Sequence, residues 1–381
     1  MKRYPAYDPP EYVDWEPDPT LVEAFGKTLD RHPDRRRIID ALNQGQLIEL
    51  YRRLVRARLH DVTLKRWVRL GTISKAWLGT GEEATTVGPV FALDPETDFV
   101  APMIRNAAAC ADMGMPLADM FRAYLASADS PSGGRDLHAG DFRHHVLQPV
   151  SPIGLMVPVT AGLALAAKIR GQPAIALNWI GDGSTKAAAT HEGLNFAAVQ
   201  RLPAIFIIQN NKVALGTRVD QHHLGGNLNA LPAAYGVAGW TFDGNNVLDA
   251  YAATQLAVDL IRDSEGPVIL VADTFRMGGH ATHDEREARE TFPAELFSHW
   301  GQRDPIGLYE EYLKVQGVSP EVLEAAESEV IQEIGQSEQD ALASRDQLPD
   351  PASALGGVYA PPVSAGQPRN AEQSDGHELL G

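Results

Sequence analysis

Residues 181–211 read GDGSTKAAATHEGLNFAAVQRLPAIFIIQNN. The stretch opens on Asp182 between two glycines and closes on Asn210 and Asn211, after an apolar run. A carboxylate, an amide oxygen and, just beyond, the backbone carbonyl of Val213 make an oxygen-only donor set. Magnesium takes about six oxygens at about 2.0–2.1 Å, often completed by phosphate oxygens and water. The amides of Gly183 and Ser184, at the expected start of a helix, favour an anion. The stretch therefore suits a metal-bridged diphosphate. Gly-Asp-Gly by itself is an ordinary turn; the asparagine pair after the next strand gives it weight.

The elements that must position these groups are legible around them. AIALNWI (174–180) has the composition of a buried strand, and residues 181–183 turn the chain. STKAAATHEGLNFAAVQ (184–200) is expected to be one crossover helix with Ser184 near its cap. Pro203 restarts the chain and AIFIIQ (204–209) forms the next strand. This is a βαβ unit with a right-handed crossover. It leaves Asp182 and Asn211 at the carboxyl ends of parallel strands, where open α/β sheets bind ligands.

From about residue 95 to 270, short apolar runs such as VILVADTF (268–275) alternate with alanine-rich helical stretches. The pattern predicts an α/β domain with a mostly parallel sheet. QLIELYRRLVRARLHDVTLKRWVRL (46–70) has helical periodicity, and its arginines read as a solvated or subunit-facing side. Residues 300–340 read as helical and polar. The expected organisation is an N-terminal arm (1–44), extended over about residues 1–33, the α/β domain (45–335) and a loosely ordered tail (336–381), rich in Pro, Gly, Ser and Ala from about 345.

Bulk composition narrows the function classes. The chain has 381 residues, is 44% hydrophobic and 22% charged, and carries a formal net charge of −17. That charge argues against a nucleic-acid or anionic-membrane surface. A single cysteine, Cys110, excludes an internal disulfide framework and points to a reducing cytoplasm. MKRYPAYDPPEY shows no secretory signal pattern, and LMVPVTAGLALAA (155–167) is shorter than the roughly 18–20 residues a membrane helix needs.

The motifs together resemble the alpha subunit of the thiamin diphosphate-dependent decarboxylating component of 2-oxo acid dehydrogenase complexes. Gly-Asp-Gly followed by Asn-Asn resembles the thiamin diphosphate motif; Glu192, Asn195, the alanines at 197–198 and Leu-Pro at 202–203 fit its interior. GEEA (81–84) resembles the family's Gly-Gln-Glu-Ala, and SPIGLMVPVTAG (151–162) its segment under the aminopyrimidine ring. TFRMGGHATHD (274–284) resembles its Tyr-Arg-x-x-Gly-His loop, and DPI (304–306) follows Trp300 in the family manner. The resemblance spans about residues 45–315 and implies the family's three-layer α/β/α fold with a mostly parallel sheet.

By that resemblance Asp182, Asn211 and the Val213 carbonyl hold Mg2+, and Gly183 and Ser184 face the diphosphate. Arg105 (in PMIRN), Arg276 and His280 contact the cofactor, with Ser151 and Ile153 at its aminopyrimidine end. His280 is the expected catalytic histidine, and His138 (in GGRDLHAGD) stands where a second one is expected. The implied reaction is oxidative decarboxylation of a 2-oxo acid with acyl transfer to a lipoyl group on a separate acyltransferase. The glutamate that faces the aminopyrimidine belongs to a beta subunit in this family. The chain is accordingly expected to work only in an α2β2 heterotetramer.

Several positions depart from the family pattern. Ile104 replaces a tyrosine that contacts the cofactor, and Leu155 and Met156 replace oxygen donors of a potassium site, which argues against potassium. Ala281 replaces the regulatory loop serine, which excludes kinase control at that position. Gln209 stands where some branched-chain members have Arg. SPIG and GGR resemble branched-chain members more than pyruvate members. A noncatalytic interaction-only paralogue and an acetoin-type dehydrogenase alpha subunit are the alternatives within the family. A nicotinamide site at GTGEEA (79–84) with Asp98 is disfavoured, because ISKAWL (73–78) is a poor strand and Glu82 and Glu83 would face a pyrophosphate. His283 and Asp284 next to His280 lack further ordered ligands for zinc.

Overall fold

The apolar runs become strands buried on both faces. A computed structural model describes residues 15–225, 227–263 and 266–356. The strands are β1 (Phe99–Ala101), β2 (Ala176–Gly181), β3 (Ala204–Asn210), β4 (Val213–Ala214), β5 (Thr217–Arg218), β6 (Ala238–Asp243) and β7 (Val268–Asp273). Five form one parallel sheet in the order β1-β2-β3-β7-β6; β4 and β5 pair as a small antiparallel hairpin. Every residue of β3 is buried, as expected of a central strand covered on both faces.

Alternation along β3 divides the core. Phe206 and Ile208 join a cluster with Val157, Ala161, Leu194 and Ala197, from the helices Met156–Arg170 and Ala188–Gln200. Ile205 and Ile207 face the other cluster with Leu248, Ala252 and Val258 of the helix Val247–Arg262. The expected three layers are thus present, with the sheet in the middle.

The crossover helix is not continuous from Ser184. A 3-10 turn covers Gly183–Lys186, Ala187 is extended (ψ 137°), and the α-helix begins at Ala188 without a side-chain cap. Ser184 therefore caps nothing; Thr185 Oγ1 instead donates to the Asp182 carbonyl at 2.6 Å. This break keeps the Gly183 and Ser184 amides in a tight turn at the strand tip.

Two expectations for the ends need correction. Within the expected arm, Pro19–Asp30 and Pro33–Asp40 are helices, each opened by a proline that fits the first helical turn. Phe25 and Leu29 are buried in the main core. At the other end the helix Pro320–Ala343 runs past the expected tail boundary at 336. Residues 349–356 form a separate short unit with one 3-10 turn, and the tail from 357 onward lies outside the described residues, as does 1–14 of the arm.

The basic helix Gln44–Arg69 starts with a capping box between Asn43 and Gln46. Several of its arginines are partnered within the chain. Arg52 pairs with Glu329 (2.7 Å), Arg56 with Glu333 (3.1 Å) and Arg66 with Glu338, all on Pro320–Ala343. A basic helix in an acidic protein is explained by an acidic helix lying along it. Among the described residues, no helix is long and apolar enough to cross a membrane.

Candidate functional site

The register brings the expected ligands to adjacent strand tips. Gly181 of β2 pairs with Gln209 of β3, so Asp182 and Asn211 both lie just past the ends of neighbouring strands, which run about 4.8 Å apart. Lys212 adopts φ +73°, a left-handed turn that sends the chain into β4. β4 returns against the turn after Asp182: a Cβ on Gly183 would lie 2.4 Å from Cβ of Ala214. Only glycine fits there, and the absence of a side chain leaves the Gly183 amide approachable. Asp182 (2% exposed), Asn211 (2%) and Val213 (4%) are gathered in one buried corner.

The hydrogen bonds fix how these groups point. Asn211 Nδ2 donates to Glu82 Oε1 at 2.9 Å, which turns its Oδ1 away from Glu82; Oδ1 lies 3.4 Å from the Val213 amide. Asp182 Oδ2 lies 3.3 Å from Nε2 of His222. The set of carboxylate, amide oxygen and backbone carbonyl is the hard oxygen set that magnesium prefers. Among the described residues there is no cluster of three His, Cys, Asp or Glu side chains suited to a metal, so the zinc-like alternative has no support. Asp284 instead accepts from the amides of His280 (3.2 Å) and Ala281 (2.8 Å) and shapes the loop.

Arg105 and His280 meet although 175 residues separate them: Nη2 of Arg105 is 3.2 Å from Nδ1 of His280. Arginine only donates, so Nδ1 is the acceptor and the proton sits on Nε2. Burial, then the nearby charges of Arg105 and Arg276, push His280 down to about 4. It is therefore a neutral donor through Nε2 near neutral pH. Arg276 lies behind, buried, donating to the carbonyls of Gly278 (3.0 Å) and Leu215 (2.7 Å). It ties the His280 loop to the β4–β5 hairpin.

The loop that roofs the site is built from the basic helix. Asp61 accepts from the Gly79 amide (2.7 Å) and from Thr80 Oγ1 (3.0 Å). Arg58 forms buried ion pairs with Glu83 and with Asp304 (3.2 Å). Glu83 Oε2 in turn accepts from the Gly81 amide at 2.9 Å. A Cβ on Gly79 would lie 2.3 Å from the Arg105 carbonyl, so the roof passes directly over the arginine's backbone. Among the described residues no strand precedes this loop. Asp98 is spent structurally, accepting from the amides of Ile175 (2.8 Å) and Asp94 (2.9 Å). The nicotinamide alternative fails on both counts.

Among the described residues, three further expected ones make no hydrogen bond to Asp182, Asn211, Arg105 or His280. Ser151 and Ile153 are exposed, Ile153 by 65%, on the turn before the helix Met156–Arg170. His138 bonds to Asp136 (2.6 Å) rather than to His280, and its neighbours Leu137 and Ala139 line a small pocket with Met103 and Ile104. Sequence reasoning missed Glu82 and His222 as site residues. Glu82 was visible only as part of a motif, and His222 carried no signal, because it reaches Asp182 across 40 positions. A cavity of about 520 Å³ lies beyond the β7 and β6 tips, on the far side of Asn210 and Lys212. Most of its charged walls are paired, Arg35 with Asp249, Arg303 with Asp243 and Lys212 with Asp273, which leaves it a weaker candidate than the strand-tip corner.

A three-layer fold with an oxygen-lined corner at parallel strand tips is that of a cofactor-binding enzyme subunit. Residues 51–350 match the family described as Dehydrogenase E1 component, and the chain belongs to it, as the alpha subunit of a 2-oxo acid dehydrogenase. It is 32% identical over 323 residues to the 2-oxoisovalerate dehydrogenase subunit alpha of Bacillus subtilis, covering 84% of this chain and 97% of that one. It is 33% identical to the pyruvate dehydrogenase E1 component subunit alpha of Bacillus cereus over 312 residues, 81% of this chain and 80% of that one. The corresponding pyruvate subunit of Bacillus subtilis is 34% identical over 306 residues, 77% and 78% of the two chains. Membership implies an oxidoreductase component and thiamin diphosphate as its cofactor. Alpha subunits of this kind generally pair with beta subunits within dehydrogenase complexes.

Proposed function

We propose that this chain binds the diphosphate of thiamin diphosphate through Mg2+ and, with a beta subunit in an α2β2 heterotetramer, decarboxylates a 2-oxo acid and passes the acyl group to a lipoyl-bearing acyltransferase. The observation that carries the reading is the convergence of Asp182, Asn211 and Val213 at the tips of β2 and β3. When bound, the cofactor supplies the nucleophilic carbon and the electron sink. Asp182, Asn211 Oδ1 and the Val213 carbonyl hold the cation, while the Gly183 and Ser184 amides face the diphosphate. Arg105 stabilises anionic oxygens, and His280 donates a hydrogen bond from Nε2 while Arg105 occupies its Nδ1. Arg276 braces the loop. His138, Ser151 and Ile153 serve the substrate and aminopyrimidine end.

The beta subunit is supported by what the described surface leaves uncovered. Ile153, Leu155, Val159, Ile169, Phe196 and Val199 are exposed on and beside two helices that pack together. Apolar side chains gathered on one layer mark an interaction surface. A branched-chain 2-oxo acid is favoured, with pyruvate next. SPIG and GGR support that order, as does the nearly full-length match to the 2-oxoisovalerate relative.

The test is calorimetry of thiamin diphosphate with Mg2+ on the co-purified heteromer, followed by CO2 release from branched 2-oxo acids and pyruvate. Asp182→Ala should abolish Mg2+-dependent cofactor binding while the heteromer still assembles. A variant that binds cofactor like the wild type would refute the site.

A further inference from the structure

The two side-chain ligands of the proposed cation site are each held by a further side chain, one buried and one partly exposed. Glu82 is 1% exposed, and its Oε1 accepts from Asn211 Nδ2 (2.9 Å) and from Gln209 Nε2 (2.5 Å). Gln209 is itself held by Asn106, whose Nδ2 donates to Gln209 Oε1 (2.9 Å) and to Thr86 Oγ1 (2.7 Å). A charged carboxylate only accepts hydrogen bonds. The end of Asn211 that faces Glu82 must therefore be its NH2, and Oδ1 must point the other way. Without Glu82 the amide could rotate and present NH2 to a cation.

His222 plays the matching part for Asp182. Its side chain is 12% exposed and Nε2 lies 3.3 Å from Asp182 Oδ2. Its Nδ1 is buried without a hydrogen-bond partner. A proton on Nδ1 would leave a buried donor unsatisfied and set the Nε2 lone pair against a carboxylate. A proton on Nε2 satisfies both, leaving only a buried lone pair, the cheaper defect. His222 is thus an Nε2–H donor to Oδ2 that leaves Asp182 Oδ1 for a cation. It comes from the short helix Val219–His222, reached through the β4–β5 hairpin that also carries Val213.

We propose that Glu82 and His222 are positioning residues of the cation site, Glu82 setting the amide orientation of Asn211 and His222 the carboxylate orientation of Asp182. The proposal rests on the cation site put forward under Proposed function. Groups that orient metal ligands in this way typically contribute about 10–100-fold to metal affinity. The role is a hydrogen-bonding one, so side chains that keep the acceptor or donor should serve.

The test titrates Mn2+ into the co-purified heteromer at saturating thiamin diphosphate, with free Mn2+ followed by electron paramagnetic resonance. Unfolding midpoint and heteromer assembly are measured alongside. Glu82→Leu and His222→Ala should each weaken Mn2+ binding by about 10–100-fold. Glu82→Gln, which can still accept from Asn211, and His222→Gln, which can still donate to Asp182, should stay close to the wild type. If Glu82→Leu or His222→Ala fails to assemble, the Gln variants decide, because they keep the bulk: wild-type-like binding supports the proposal and a full loss overturns it. Unchanged Mn2+ affinity in Glu82→Leu and His222→Ala would also overturn it. A wild-type heteromer that binds neither Mn2+ nor cofactor would instead defeat the cation site itself.

Discussion

Replacing Arg58 with Met should destabilise the protein in a way that depends on pH. Arg58 is 1% exposed and pairs with Glu83 and Asp304 inside the core. Burial pushes the Glu83 carboxyl up from 4.5 to about 7, against the pull of Arg58. An acid raised in the fold favours the folded state below its unfolded value, and that advantage is lost as pH rises through the folded value. A shift of about 2.5 units corresponds to about 3 kcal/mol, fully felt above pH 7 and absent below 4.5. Removing Arg58 raises the Glu83 value further, and each added unit costs about 1.4 kcal/mol once the group is charged. Breaking a buried pair from one side costs about 3–5 kcal/mol. At about 2–4 °C per kcal/mol, the unfolding midpoint should fall by on the order of 10 °C at pH 8. At pH 5 Glu83 is protonated in both proteins, so its share of the deficit should disappear while the share from unpaired Asp304 remains. The assay is thermal unfolding of wild type and Arg58→Met, in the same assembly, from pH 5 to 8. In a Glu83→Gln background the pH dependence of the deficit should largely vanish. A deficit that stays constant from pH 5 to 8, or grows toward acid, would refute the reasoning.

His280, held near 4 by burial and by Arg105 and Arg276, should show a depressed titration in proton NMR, and Arg105→Met should move it back toward 6.5. Because the unfolded chain protonates first, this group costs stability as pH falls from about 6.5 toward 4; an unshifted His280 would contradict the geometry. Gly183→Ala forces a Cβ to 2.4 Å from Ala214, so the β4–β5 hairpin must move and Mg2+-dependent cofactor affinity should fall at least tenfold by calorimetry. Glu333→Gln on the paired helices should cost no more than about 1 kcal/mol in urea unfolding, because Glu333 is 43% exposed and Arg56 keeps Asp112 at 3.5 Å. A larger loss would mean the arginine ladder does more than dress the surface.

The motif stretch and its βαβ frame were legible because both depend on short-range information. Buried strands are apolar runs, turns are glycines and prolines, and a fixed crossover length sets the two ligands one strand apart. Periodicity likewise gave the helix Gln44–Arg69, but not the partners of its arginines. Which face meets Glu329, Glu333 and Glu338 depends on where a helix nearly 280 positions away comes to rest. The N-terminal helices were missed for a related reason: proline-rich, acidic composition suits an extended arm, and only burial of Phe25 and Leu29 against the core makes helix worthwhile.

By itself the sequence determined the parallel α/β frame, the oxygen chemistry of Asp182 and Asn211, and the family those residues indicate. Tertiary structure alone decided which way these proposed ligands face and which residues hold them: Glu82 from a roof loop, His222 from beyond a hairpin, Arg105 against His280. Ligand type is a property of one residue and survives in a string of letters. Ligand orientation is a property of contacts between distant segments, and it exists only once the chain has folded.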